Sequence, residues 1–447
     1  MVWGEPTGRI YVPLWLFLAC CSDSLAQPTH SVTNLSAPVP AHASSFVQPQ
    51  NTLSLDEVVA LGLQRNPSLA QASWQIDQAR GLAWQAGLYP NPTVSATFDE
   101  LGDRTGAGGI NTVPLVSQEV VTAGKLRLSR AVAQRAVDQA TLMLLVRRYD
   151  LLAGVRQRYF EVLTLQRRIE ILDELVKLAE QSVATTKQLL QAKQVARLDL
   201  VQLEVDLERF RANKEAAEQE LPGAFRRLAA TVGVYDLPLA RLQGSVDDPL
   251  PDYDFQAAQA FVARQHPAIQ LAHAGVERAQ LLLRRAQVEP IPNITVGSGY
   301  VRQNQNGSDD WVIGASIPIP VWNRNQGNIR AAEAAVAVAL QEINRVQNDL
   351  VDRLAQAFRN YMSSRRRAER FRQAILPKAQ ETYELALKAY KGGQFAYLRV
   401  LEAQRSLAQA KLEYVQALGD AWMAASTISG LLLEEQWPWQ EAAPKQK

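Results

Sequence analysis

The stretch YPNPTVSATFDE at residues 89–100 and the stretch EPIPNITVGSGY at residues 289–300 decide how this chain is read. Each sets two prolines, Pro90 and Pro92 or Pro290 and Pro292, ahead of a run in which apolar and small polar residues alternate. The shift of 200 that superposes them also places Asn66-Pro67 on His266-Pro267, Val94 on Ile294, Ala96 on Val296 and Leu198 on Leu398. Helix breakers agreeing at one offset mark an internal repeat, so one structural unit is written twice. Proline fixes its φ and donates no hydrogen bond, so no regular helix runs through these lead-ins. After them Val94, Ala96 and Phe98 alternate with Thr93, Ser95 and Thr97, which predicts a strand with one apolar face.

Working outward, the first half opens with a helix expected over Leu53–Leu88, where Ser54 three residues before Glu57 has capping-box spacing. Strands are expected at about 92–100 and 113–121, joined by the glycine-rich turn GDRTGAGGIN. The second half repeats the plan with strands at about 293–302 and 311–319. From Leu115 to Leu221 there is no proline, and Leu165, Ile169, Leu172, Val176, Ala179, Val183, Thr186 and Leu190 are spaced alternately 4 and 3 apart, the seam of a coiled coil. A helix over Lys125–Gln191 would reach on the order of 100 Å at about 1.5 Å per residue. The chain is expected to reverse near Lys193–Arg197 and again at Gly392-Gly393, where Leu398, Leu401, Ala408, Leu412 and Val415 restart a seam that Arg405 breaks. The fold class that follows is mainly α with a small β part: long antiparallel coiled-coil hairpins in a two-fold repeat, with four strands.

The expected organisation is a signal peptide over 1–26, a Pro/Ser/Ala-rich spacer over 27–50, repeats over 51–246 and 257–436, a Pro/Asp-rich linker over 247–256, and a tail over 437–447. Residues 11–19, YVPLWLFLA, follow Arg9 and are too short to span a bilayer, as an export signal should be. Two exits compete. Ser24-Leu25-Ala26 offers small residues for cleavage before Gln27, whereas Leu18-Ala19-Cys20-Cys21 resembles a lipoprotein box with Cys21 as acyl acceptor.

The 447 residues are 47% hydrophobic and 21% charged, which excludes a disordered tail or a collagen-like fibre. Lys and Arg number 47 against 45 Asp and Glu, net +2, so non-specific nucleic-acid binding has no electrostatic basis. Two adjacent cysteines, Cys20 and Cys21, and four histidines, His30, His42, His266 and His273, build neither a disulfide framework nor a metal cluster, and no cofactor is implied. Ala123-Gly124-Lys125 fails as a phosphate loop, because Glu119 stands for the first glycine and Leu126 for the Ser or Thr. No nucleophile and base are placed for catalysis, so an enzyme is not expected.

Four strands of about nine residues each have the length that crosses a bilayer when tilted. They cannot close a barrel alone, and an open sheet in lipid leaves backbone groups unpaired, so strands must be pooled between subunits or kept out of the membrane. Three chains would supply twelve strands, a barrel wide enough for water. The alternative is a periplasmic coiled-coil scaffold or adaptor without a membrane barrel.

In the order Asn66-Pro67, Tyr89-Pro90-Asn91-Pro92, Arg197-Leu198-Asp199-Leu200, His266-Pro267, Glu289-Pro290-Ile291-Pro292, Ile317-Pro318-Ile319-Pro320, Arg324-Asn325-Gln326-Gly327 and the 393–403 segment GQFAYLRVLEA, the chain resembles the TolC-like outer-membrane efflux family, and Gly124-Lys125 resembles its heavy-metal cation branch. The resemblance implies a homotrimer whose strands form one twelve-stranded outer-membrane barrel above a helical periplasmic tunnel, docked on a periplasmic adaptor and an inner-membrane pump. It implies no turnover. It also implies a pore gate at the periplasmic tips: Asp199 and Glu402 as carboxylate rings that attract cations, with Arg399, where relatives often carry an acid, pairing with Asp199 or Glu402 across a subunit boundary. Lys193, Gly392 and Gly393 would shape the tip turns that meet the adaptor, Lys193 standing where a glycine is expected. The competing interpretation of the gate residues is solvated helix faces.

Overall fold

The computed structural model describes residues 52–99, 109–193, 195–304, 306–391 and 398–437. The signal segment with Cys21, the spacer, Gly392 and Gly393, and the chain after Trp437 lie outside the described residues.

The first half contains β1 (Thr52–Leu53), α1 (Leu55–Arg65), α2 (Pro67–Gln85), β2 (Thr93–Asp99), β3 (Ile110–Val120), α3 (Lys125–Gln191) and α4 (Arg197–Val232). The connection carries β4 (Arg241–Leu242). The second half has α5 (Phe255–Gln265), α6 (Pro267–Val288), β5 (Ile294–Gln303), β6 (Ser308–Ser316), α7 (Gln326–Arg370), a π-helical turn at Phe371–Ile375, α8 (Leu376–Lys391) and α9 (Leu398–Leu431).

Local chemistry explains where the elements begin and end. Ser54 and Glu57 form the capping box: the Glu57 amide donates to Ser54 Oγ, and the Ser54 amide donates to Glu57 Oε2 at 2.8 Å. The single helix expected over Leu53–Leu88 is instead two. Pro67 has no N–H to bond back into the preceding turn and sits at the first position of a new helix, where that lack costs nothing. Asn66 caps that helix by accepting from the Ser68 amide at 2.8 Å, and His266 caps α6 in the same way, its Nδ1 accepting from Ala268 at 3.2 Å. The fourth strand stops at Ser316, ahead of Pro318 and Pro320, which have no donor for a ladder. Pro377 removes a donor from the helix that α7 begins, and the turn before it opens into the π-helix.

The 67-residue α3 is the spine, contacting α2, α4, α6 and α9 along its length. Its heptad positions Leu172, Val176, Ala179, Val183 and Thr186 are buried; Val176, Ala179 and Val183 pack towards the tip against Leu203 and Leu207 of α4 and Val400 and Leu401 of α9, and Leu172 packs with Ala217 of α4 and Ala408 and Val415 of α9. α9 lies close enough to α3 that a Cβ at Gly419 would fall 2.5 Å from Oγ1 and Cγ2 of Thr164, so only glycine fits there.

At mid-height the connection between halves straps across one face of the helices. β1 pairs in parallel with β4, and the Tyr159 hydroxyl lies 2.6 Å from the Gln243 carbonyl. Phe160 stacks on Trp422 with centroids 4.4 Å apart, Trp437 meets both edge-on, and Trp422 Nε1 donates to the Val246 carbonyl at 2.9 Å. Burial of the phenol pushes the Tyr159 pKa well up.

Candidate functional site

The strands make one antiparallel sheet in the order β2-β3-β5-β6, so the two halves meet at β3 and β5 while β2 and β6 are edges. Register sorts the side chains by chemistry. Val94 opposes Val116, Val116 opposes Ser298, Val296 opposes Ala315, Ser298 opposes Ile313 and Tyr300 opposes Trp311, so one face is apolar and aromatic. Thr93 opposes Ser117, Ser117 opposes Gly297 and Gly297 opposes Gly314, so the other is mainly small and polar, with Leu115 and Val312 as its large apolar residues. Ile313 is 85% and Trp311 75% exposed, an apolar surface with no partner inside the chain. Among the described residues no helix is long and apolar enough to cross a membrane.

Below the sheet, the helix faces turned away from the strap are hydrophilic. Gln157, Arg158 and Glu161 of α3, Asn360, Ser363 and Ser364 of α7, and Asp420, Met423 and Thr427 of α9 line an open depression of about 510 Å³. Side chains on these faces point some half-turn away from Tyr159, Phe160 and Trp422, so each helix has a wet side and a strapped side.

At the tip, Ala192 closes α3, and Lys193 takes the left-handed conformation at φ 55°, which a residue with a Cβ adopts at a cost of about 1 kcal/mol. Asp199 occupies the third position of α4 and reaches back to accept from the Ala196 amide at 3.2 Å, so the carboxylate expected to ring the pore also holds the first turn of its helix. Arg399 and Glu402, one turn apart on α9, pair within the chain at 3.4 Å, with their side chains 72% and 54% exposed. That pairing needs no second subunit, and such an exposed pair contributes little to stability.

One tip residue was not anticipated as functional. Arg405 sends Nε and Nη2 to the two carboxylate oxygens of Asp206, at 2.8 and 2.9 Å, and Asp206 is 5% exposed. The bidentate pair ties α4 to α9 across α3, one residue short of the 200-residue repeat. Its sequence signal was the charge that breaks the apolar register of α9. Nearby in the same helices Thr186 Oγ1 and Gln404 Oε1 are buried without a hydrogen-bond partner. No group of three or more His, Cys, Asp or Glu side chains is placed to hold a metal ion among the described residues.

Comparison with known proteins matches the chain to one family model, described as outer membrane efflux protein, over residues 58–234 and 262–432, one match in each half. The cobalt-zinc-cadmium resistance protein CzcC of Cupriavidus metallidurans is 27% identical over 427 residues, covering 95% of this chain and 99% of CzcC. The probable outer membrane lipoprotein SilC of Salmonella typhimurium is 27% identical over 389 residues, 81% of each chain. Among solved structures, a membrane protein from Pseudomonas aeruginosa superposes with TM-score 0.73 at 21% identity, over 85% of this chain and 90% of the other. The outer membrane protein VceC of Vibrio cholerae superposes with TM-score 0.70 at 19% identity, over 85% and 95%.

Proposed function

This chain belongs to the outer membrane efflux protein family, and we propose that it is the outer-membrane duct of a tripartite exporter of heavy-metal cations. Three copies close one barrel, an adaptor and an inner-membrane pump dock from the periplasmic side, and cargo passes without bond chemistry. The observation that carries this is the sheet: a four-stranded antiparallel ladder with an exposed apolar face, a small polar face and two unpaired edges, β2 and β6. In lipid those edges must be paired, and joining β2 of one copy to β6 of the next pairs them all at twelve strands. The wet helix faces then line a bore below it. Cation cargo is supported by the name of CzcC, whose whole length the chain matches. Selection of the metal is assigned to the pump, because the described residues offer no clustered ligands.

At the tips Asp199 and Glu402 act as the gate's carboxylates, and Arg399 moderates Glu402 within each chain. Lys193 and the segment with Gly392 and Gly393 form the turns that meet the adaptor. A lipid anchor on Cys21 would add attachment to the barrel's own.

The test is to purify the mature protein from membranes in detergent, determine its mass in solution and record conductance in planar bilayers. A trimer with discrete conductance steps is the expected result. A water-soluble monomer or dimer without conductance would overturn the duct and favour the periplasmic scaffold.

A further inference from the structure

The joint between the strand sheet and the long helices contains a charged arrangement that neither the gate nor the barrel closure uses. Glu119 is the penultimate residue of β3 and opposes Thr295 of β5, which places it on the small, polar face with Ser117 and Gly297. Its Oε1 accepts from Asn293 Nδ2 at 2.6 Å. Asn293 turns its own Oδ1 the other way, accepting from Lys125 Nζ at 3.0 Å and from the Thr122 amide at 3.2 Å. Lys125, the first residue of α3, is 4% exposed, whereas Glu119 keeps access to solvent. Asn293 therefore links an accessible carboxylate to a buried ammonium, with residues of both halves in the link. Two charges bridged in this way do not cancel where the solvent is: the carboxylate faces the water and its counter-charge is held behind it.

We propose that Glu119 is a selectivity-determining residue of the duct, a fixed carboxylate that three copies repeat around the bore at the barrel–tunnel joint, favouring cations well above the tip gate. This rests on the trimeric channel proposed above. The one-residue pleat of β3 decides the placement, since Gln118 and Val120 lie on the apolar face and a shift of one would turn Glu119 into lipid. Asn293 and Lys125 are positioning residues: the first fixes the carboxylate, and the second weakens its field from behind.

The experiment measures the reversal potential of reconstituted channels in a KCl gradient, for the parent and for a background carrying Asp199→Ala and Glu402→Ala, in which the tip no longer dominates. Glu119→Gln keeps an Oε1 for Asn293 and removes only the charge. At about 0.1 M salt it should lower the cation-to-anion permeability ratio by about twofold, an effect that fades at ~1 M where the screening length falls to about 3 Å. Glu119→Asp should stay near the parent, and Lys125→Met should raise the ratio. The solution mass of Glu119→Gln should match the parent's trimer, which separates charge from folding. A Glu119→Gln ratio equal to the parent's, or a Glu119→Asp ratio that falls as far, overturns the proposal while the duct stands. A parent without conductance overturns both.

Discussion

Replacing Arg405 by methionine removes two charge-assisted hydrogen bonds, at 2.8 and 2.9 Å, from the buried carboxylate of Asp206 while keeping most of the side chain's apolar stem. Breaking one side of a fully buried ion pair costs about 3–5 kcal/mol, because the remaining charge is desolvated with nothing to offset it. Here the Asp206 side chain is 7% exposed but that of Arg405 is 46%, and Arg209 lies 3.6 Å from the same carboxylate. Water already screens half of the pair and a second cation stays within reach, which brings the cost to about 2–3 kcal/mol. The loss is local, since the pair joins α4 to α9 at one level, beside the buried cluster that both helices form with α3. At 1.36 kcal/mol per tenfold, amides of residues 198–210 and 398–410 should exchange hydrogen about 30- to 150-fold faster, while those in the first turns of α3 stay unchanged. The assay is hydrogen exchange with mass spectrometry on the detergent-solubilised protein. Adding Asp206→Leu to Arg405→Met should restore slow exchange, because no charge then remains to be solvated. Parental exchange in the single variant, or fast exchange persisting in the double, would refute the assignment.

His266 titrates near 4 rather than 6.5, because burial disfavours the imidazolium and Arg353 opposes it further. The unfolded chain takes up the proton first, so this contribution to stability is complete above pH 6.5 and is lost as pH falls towards 4, by up to about 3 kcal/mol. His266→Asn, the cap residue found at the matching position 66, should remove that part of the pH dependence, read as the helix melting temperature at pH 7 and pH 4.5; equal shifts in variant and parent would contradict it. Gly419→Ala would press a methyl against Thr164 and should cost about 1–3 kcal/mol in thermal unfolding, with Thr164→Ala recovering most of it. Asp199→Ala with Glu402→Ala should raise conductance or lower cation preference in planar bilayers, and Arg399→Ala should shift conductance the same way if it restrains the tip; values matching the parent would remove these residues from the gate.

The strands and the spine were legible because their signals are local. Paired prolines followed by a period of two specify strands, and a 4-3 spacing without proline over a hundred residues specifies little but a coiled coil. The break at Asn66-Pro67 was also written, since the same dipeptide position was used to find the repeat, but continuous apolar periodicity on both sides of it concealed that the helix stops. The polar ties between halves were not legible at all. Asp206 and Arg405 are 199 residues apart on helices that share a third, and Asn293 joins Glu119 to Lys125 from 168 or more residues away. Nothing in local pattern selects such partners; only the coincidence of a charge inside an apolar stripe hints that one exists.

Those ties are distributed unevenly, and the distribution bears on where the duct can move. At the joint, Thr122 Oγ1 donates to the Pro292 carbonyl at 2.7 Å beside the Glu119–Asn293–Lys125 link. At mid-height, Arg156 reaches Ser429 Oγ at 3.0 Å and the Glu435 carbonyl at 2.8 Å with its guanidinium over the Trp437 ring, and on the opposite, wet side Gln157 reaches Thr427 at 2.6 Å. Both levels thus fix one half to the other through polar groups, of which Lys125, Arg156 and Ser429 are buried and would each cost about 1–3 kcal/mol on loss of their partner. Towards the tip the buried polar link is the Asp206–Arg405 pair, with two buried oxygens, Thr186 Oγ1 and Gln404 Oε1, unpaired around it. Unpaired buried oxygens make this packing less favourable than a satisfied one, and on the tip side of the pair the polar contacts include the exposed Arg399–Glu402 and Lys187–Glu204 pairs and the Asp199 cap. On the proposal that the periplasmic tip is the gate, a tip held largely by exposed pairs would widen at lower cost than a mid-section whose ties include the buried Arg156–Ser429 hydrogen bond.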